Sequence, residues 1–340
     1  MKISFRKLMF LVFSIFSFMF THLNANEGKL SGGSMHEVPE WFKESFLDIS
    51  EDISEADANN KHFMIFMDLE GCSYCSKMLN ENFIAQNKTS EFIKKYFDVI
   101  NIDVKGSREI AWDANTTLTE KALAEKLEIQ YSPTILFFNK NKEVVVRVNG
   151  YRNKDDFKYI LEFVQGKYYE QMSLTQYLEK ITKETLYTFI ENKMFKDLKD
   201  LSKIKTPLAV IFEDGSCTQC DYFHNRLLKD KDVLKEFKNF TIVRLNANSD
   251  EQIIDIDGNK TTAKEWVKKI NLDYRPGILL YDNKKLISTV DALLYPFHFK
   301  ELLRYVGEKH YKKYPKSYLD YLRVRQSELL KQGININLAE

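Results

Sequence analysis

A chain of 340 residues is long for one hydrophobic core and suits two domains of ordinary size. Its 50 Lys and Arg against 49 Asp and Glu leave a net charge of +1, which removes the electrostatic case for a nucleic-acid partner. A hydrophobic content of 44% excludes a disordered chain, and the 4 cysteines form two Cys-x-x-Cys pairs instead of the scattered set that disulfide staples need.

In chain order, the N-terminus reads as an export signal. Lys2, Arg6 and Lys7 make a basic start, Leu8 to Phe20 is apolar, and Leu23-Asn24-Ala25 offers cleavage after Ala25. The apolar stretch is well short of the ~20 residues a spanning helix needs. Residues 1–25 are therefore expected to be a signal peptide and the remainder to be soluble in a bacterial periplasm. The bulk of Leu23 leaves an uncleaved membrane anchor as the alternative. No cysteine follows the stretch, so a lipoprotein anchor is excluded.

The rest of the chain repeats itself. Phe63-Met-Ile-Phe-Met-Asp-Leu-Glu-Gly-Cys72 matches Leu208-Ala-Val-Ile-Phe-Glu-Asp-Gly-Ser-Cys217 at an offset of 145. Tyr131-Ser-Pro-Thr-Ile-Leu-Phe-Phe138 matches Tyr274-Arg-Pro-Gly-Ile-Leu-Leu-Tyr281 at 143, and Phe157-Lys-Tyr-Ile-Leu-Glu-Phe-Val164 matches Phe299-Lys-Glu-Leu-Leu-Arg-Tyr-Val306 at 142. Each half predicts a helix (40–55, 185–201), an apolar strand (63–67, 208–212), then the Cys-x-x-Cys opening a helix (76–80 and onward, 221–228). A strand follows (97–104, 240–245), then a small hairpin (109–116, 252–261) and a helix (119–127, 262–270). A proline, two strands (134–138 with 144–148, 278–281 with 286–290) and a closing helix end each half. The pattern predicts an α/β fold twice over, each a central mixed β-sheet flanked by helices, with domains at 26–184 and 185–340. The Tyr- and Leu-rich tails 168–178 and 311–319 read as core or docking surface.

A Cys-x-x-Cys at a strand-to-helix turn has a specific use. The first cysteine, at the helix N-terminus, faces unpaired N–H groups and the positive end of the dipole, which favour the thiolate. The second resolves the mixed disulfide. Cys72 and Cys217 are the expected nucleophiles, Cys75 and Cys220 the resolving residues. Zinc is the alternative for paired cysteines, but zinc ribbons hold their pairs ~15–20 residues apart, far closer than these; no metal and no cofactor is expected.

Strand, Gly71-Cys-Ser-Tyr-Cys75, helix and a later Ser132-Pro133-Thr134, repeated as Ser216-Cys-Thr-Gln-Cys220 and Arg275-Pro276-Gly277, resemble the thioredoxin superfamily. The hairpin and Tyr/Leu tail are similar to its periplasmic SoxW-like branch. The resemblance implies that Pro133 and Pro276 are cis and lie against the sulfurs. It also implies that Ser132 and Arg275 present their backbone to a substrate strand. It implies a periplasmic thiol–disulfide oxidoreductase acting on protein disulfides, kept reduced by a membrane electron donor of the DsbD/CcdA type. A disulfide isomerase, or an adaptor or chaperone docking partners through its tyrosines, are the alternatives.

The family's buried Asp, six residues before the first cysteine, is replaced by Phe66 and Ile211. Asp68, Glu70, Glu213 and Asp214 lie nearer the turn and read as solvated loop carboxylates, with substitutes for that Asp as the alternative. His224 reads as a bystander, with tuning of the second site as the alternative. Trp112 and Trp266 read as packing residues, and Arg275 as a cation that would alter substrate fit at the second site. Asp113-Ala-Asn115-Thr-Thr117 and Asp257-Gly-Asn259-Lys-Thr261 match an extended N-glycosylation acceptor, and Asp and Asn are also plain turn formers.

Overall fold

The computed structural model describes residues 27–181, 187–315 and 317–339. The expected signal peptide and the boundary at 184 lie outside these. Two similar copies of one α/β fold follow each other. After a short strand β1 (Leu30–Ser31), the first copy runs α1 (Ile49–Ala58), β2 (His62–Asp68), α2 (Ser73–Met78), α3 (Lys88–Tyr96) and β3 (Phe97–Asp103). A hairpin β4 (Glu109–Asp113) and β5 (Thr116–Thr119) leads to α4 (Glu120–Lys126), β6 (Thr134–Phe138), β7 (Val144–Asn149), α5 (Lys154–Gln165) and α6 (Leu174–Ile181). Its sheet has the order β3-β2-β6-β7, with β2 and β3 parallel and the other neighbours antiparallel.

The second copy runs β8 (Leu208–Glu213), α7 (Cys220–Asn225), α8 (Lys231–Phe237), β9 (Thr241–Asn246), β10 (Gln252–Ile254), β11 (Lys260–Thr262) and α9 (Ala263–Lys269). It closes with β12 (Gly277–Asp282), β13 (Lys285–Val290), α10 (Pro296–Gly307), α11 (Tyr318–Lys331) and β14 (Ile336–Asn337). The sheet order β9-β8-β12-β13 repeats that of the first copy. Strand β14 pairs with β1, so the last described residues return to the start of the first copy.

Both central strands are continuous apolar runs because helices cover both faces of each sheet. In β2, Met64 and Phe66 face a core with Phe83, Phe137, Phe157 and Leu161, while Phe63, Ile65 and Met67 face α1 and α4. Thr119 and Thr262 cap α4 and α9 through their hydroxyls, which fixes the helix that precedes each proline. Trp112 and Trp266 pack in these cores. Tyrosines of the tails do too: Tyr318 is buried and Tyr311 and Tyr314 pack on the core of the second copy, and Tyr169 and Tyr177 pack on the core of the first.

Two expected helices differ. The first starts at Ile49 and not at 40, where Asp48 accepts the N–H groups of Ser50 and Glu51 as the N-cap. Residues before it run along the sheet edge, Lys43 N–H donating to Val99 O. The helix expected at 185–201 is absent from the described residues 187–201. There the backbone bonds sideways, Leu201 N–H to Ile254 O and Ile254 N–H to Lys199 O, and Asp200 folds back on Ser202. Leu201 and Ile204 then cover the sheet face that α1 covers in the first copy. Helices α3 and α8 were not foreseen; Asn87 and Asp230 cap them.

Candidate functional site

In the first copy, β2 delivers the chain to a turn in which Gly71 takes φ +75°, a conformation that a side chain would strain. Cys72 follows as N-cap of α2, its Sγ accepting the Cys75 N–H at 3.0 Å. The helix runs on without a break into a π-turn, Leu79–Ile84. Cys72 and Cys75 form a disulfide with Cα atoms 5.2 Å apart. Cys75 is fully buried and Cys72 partly exposed. The Ser132–Pro133 peptide is cis, and it sets the Ser132 carbonyl 3.3 Å from Cys72 Sγ and the Ser132 Oγ 3.4 Å from Cys75 Sγ. Cys72, Cys75, Ser132 and Pro133 thus converge. A thiolate at Cys72 would meet the Cys75 N–H at a helix start, the arrangement that favours a thiolate over a thiol.

The second site is built differently. Cys217 and Cys220 are disulfide-bonded with Cα atoms 5.5 Å apart, and the Arg275–Pro276 peptide is cis. Helix α7 starts at Cys220 with Gln219 as its N-cap, so Cys217 stands ahead of the helix and not at its N-terminus as the sequence pattern suggested. Cys217, Cys220, Arg275 and Pro276 are all buried. Arg275 is no free cation beside a thiolate. Its guanidinium donates to Asp214 Oδ2 at 2.7 Å and to the carbonyls of Leu272 and Tyr274.

The carboxylates near the turns are not solvated, Glu70 excepted. Asp68 is 7% exposed and meets His36 Nε2 at 2.8 Å. Glu213 is 0% exposed and meets His224 Nε2 at 2.8 Å and the Tyr187 hydroxyl at 3.0 Å. Asp214 pairs with Arg275. Burying a carboxylate without partners is costly, so each one's partner is what keeps it there. His224 is accordingly a partner and no bystander. The sequence signal was available: Asp68 and Glu213 occupy the same place in the two copies, four residues before the first cysteine.

The residues between the cysteines turn toward the opposite copy. The Tyr74 ring stacks on Tyr295 at 4.7 Å, and its hydroxyl accepts the Tyr295 N–H at 2.6 Å beside His298 Nδ1. Thr218 Oγ1 donates to Asp156 at 3.3 Å. The interface has an approximate two-fold: Asn149 donates to Asp291, its counterpart, at 2.8 Å, and a Cβ on Gly150 would strike the Cβ of Ala292, its own counterpart. Tyr131 and Tyr274, each two residues before its cis proline, also reach across. Tyr131 donates to Thr289 O at 2.6 Å, and the Arg152 guanidinium lies 4.5 Å from the Tyr274 ring centre. The two cysteine faces therefore look toward each other.

Two groups at this interface titrate in opposite senses. Burial pushes the His298 imidazole down to about 4. The unfolded chain then binds that proton more tightly, and stability is lost as pH falls from about 6.5 toward 4. Burial pushes the Asp291 carboxyl up to about 6 despite Arg152 and Asn149, so its folded form prefers the proton and stability is lost as pH rises toward 6. His298→Gln is expected to gain stability relative to the parent as pH falls from 6.5 to 4. Asp291→Asn should gain as pH rises from 4 to 6. Thermal unfolding across this range measures both, and a difference from the parent that does not change with pH would contradict the assignment.

The hairpin turns hold Asn115 and Asn259 in exposed positions, with Asp113 accepting the Asn115 N–H and Asp255 accepting that of Asn259. These bonds give the turns a reason for Asp and Asn that needs no glycan.

A sequence profile described as a thioredoxin-like domain matches residues 49–165 and 194–307. No curated protein matches the chain. Among solved structures, a thioredoxin-fold protein from Helicobacter pylori is 22% identical, with a TM-score of 0.32, over 36% of this chain and 84% of its own. A thioredoxin from Thermus thermophilus is 19% identical over 41% of this chain and 87% of its own, with a TM-score of 0.28. An oxidoreductase named DsbH is 11% identical over 40% of this chain and 95% of its own, with a TM-score of 0.26.

Proposed function

Both halves of the chain belong to the thioredoxin-like domain family, and on that premise we propose that it is an exported reductase of protein disulfides whose first cysteine pair meets the substrate. The observation that carries this reading is Cys72: partly exposed, at a helix start, with its sulfur against the residue before a cis proline. The Cys72 thiolate attacks one sulfur of a substrate disulfide, that S–S bond breaks, and the freed substrate thiolate takes a proton. The Cys75 thiolate then attacks Cys72 Sγ in the mixed disulfide and releases the second substrate thiol. The substrate gains two electrons and two protons, and the Cys72–Cys75 disulfide remains. A membrane dithiol donor of the DsbD/CcdA type would return the electrons.

Export is supported by the basic start and the Leu8–Phe20 apolar stretch of the sequence. Among the described residues no helix is long and apolar enough to cross a membrane. The adaptor reading loses its main support, because Tyr169 and Tyr177 of the first tail and Tyr311, Tyr314 and Tyr318 of the second pack on their own cores. The test is reduction of insulin disulfides by the dithiol protein with dithiothreitol as the terminal donor. Turnover above the dithiothreitol background is expected, and Cys75→Ala should stall with substrate bound covalently at Cys72. No turnover and no trapped adduct would remove the reductase reading.

A further inference from the structure

The two copies place an aromatic or imidazole ring from the arm that precedes each fold on the same carboxylate. In the first copy the arm carries His36 to Asp68, and Ser34 Oγ reaches Ser76 Oγ at 3.0 Å, yet Cys72 keeps part of its surface. In the second copy the arm carries Tyr187 to Glu213, and its ring also packs directly on the cysteine pair. Tyr187, Cys217 and Cys220 form a small apolar cluster of their own, with Phe189 and Ile190 against it. Cys217 keeps 3% of its surface and Cys220 none.

The arm is held at several points. Tyr187 N–H donates to Gly215 O, and Ile190 N–H donates to the Tyr187 hydroxyl. Arg244 on β9 donates to Ile190 O, pairs with Glu191 and lies over the rings of Phe189 and Phe195. Beneath the pair, Glu213 is shared between Tyr187 and His224, and the Tyr187 and His224 rings stack at 5.9 Å. A sulfur can be attacked only by a thiolate that reaches it in line with the S–S bond. A ring against the pair blocks that approach, whatever the chemistry of the pair itself.

We propose that Tyr187 sets the specificity of the second site: its ring seals the Cys217–Cys220 disulfide from external thiols, so the two pairs react at very different rates with the same reductant. The inference rests on reading the chain as a thiol–disulfide oxidoreductase, and it assigns contact with outside thiols to the first pair. Reduction by dithiothreitol proceeds at either site by the same balance. One thiolate attacks a protein sulfur, the S–S bond breaks, and the second thiol of the reagent displaces the mixed disulfide. Dithiothreitol leaves as its cyclic disulfide and the pair has gained two electrons and two protons.

The oxidised full-length protein is mixed with dithiothreitol, quenched with N-ethylmaleimide at intervals, and each cysteine peptide is quantified by mass spectrometry. Cys72–Cys75 is expected to open first, with Cys217–Cys220 slower by at least about tenfold. Tyr187→Ala should bring the second pair most of the way to the first, with the rate of the first pair unchanged as an internal control for folding. Tyr187→Phe, which keeps the ring and loses the bond to Glu213, should retain most of the lag. If Tyr187→Ala does not fold, Tyr187→Leu is read in its place. Equal rates in the parent, or no acceleration in a folded Ala or Leu variant, overturns the proposal. So does equal acceleration in the Phe variant, because the ring would then not be the seal. If both pairs resist dithiothreitol altogether, the oxidoreductase reading fails instead.

Discussion

Replacing Cys72 with Ser is expected to lower disulfide reduction by a factor on the order of 10³, down to the background of the terminal donor. The chain would keep its fold, since the Ser hydroxyl can still accept the Cys75 N–H that Cys72 Sγ accepts at 3.0 Å. What is lost is the nucleophile: a hydroxyl at a helix start stays protonated at neutral pH, whereas a thiol there ionises. Cys217→Ser should cost far less against a protein substrate, because Cys217 is buried and stands ahead of its helix. The ratio of the two losses in insulin reduction measures the asymmetry. Equal losses would mean that the second pair also handles substrate, or that electrons pass through it.

The second large effect is on stability. Asp214→Ala is expected to destabilise the second copy by about 3–5 kcal/mol, because it strands a buried guanidinium. Arg275 is 9% exposed, and its remaining partners, Leu272 O and Tyr274 O, are neutral carbonyls. For a unit of this size that loss lowers the unfolding temperature by about 10 °C. Asp214 also accepts the Ser216 N–H at 2.9 Å, so the turn that presents Cys217 loosens with it. The double variant Asp214→Ala with Arg275→Met should recover a good part of the loss, since an apolar side chain leaves no charge uncompensated. Thermal unfolding of the three proteins decides it. A double variant no more stable than Asp214→Ala alone would show that the ion pair is not the source.

Much of this arrangement is legible in the sequence, and the exceptions have physical reasons. The duplication stands out because both copies bury the same strand and keep the same proline, so the offset stays near 145 from Cys72 to Val306. The strands β2, β6, β8 and β12 are readable as unbroken apolar runs between turn residues. The arm at 187–201 was not, because its apolar residues recur at a helical spacing while its backbone bonds to β10 and its rings serve Arg244 and the cysteines. Asp68 and Glu213 looked like turn carboxylates, since their partners His36, His224 and Tyr187 are brought to them only by the fold. Tyr74 lies between the two cysteines of the first pair. Its environment shows a contact between copies, which no single-copy pattern can display.

The most direct test of the central claim is a redox titration that counts thiols pair by pair. The protein is equilibrated in mixtures of reduced and oxidised dithiothreitol, alkylated, and read by mass spectrometry of the Cys72/Cys75 and Cys217/Cys220 peptides. The account predicts that each pair passes from disulfide to dithiol in a two-electron step, the first pair reaching equilibrium well before the second. A Cys72–Cys75 pair that stays in one state across the whole series, or that is withheld from alkylation by bound zinc, would contradict it.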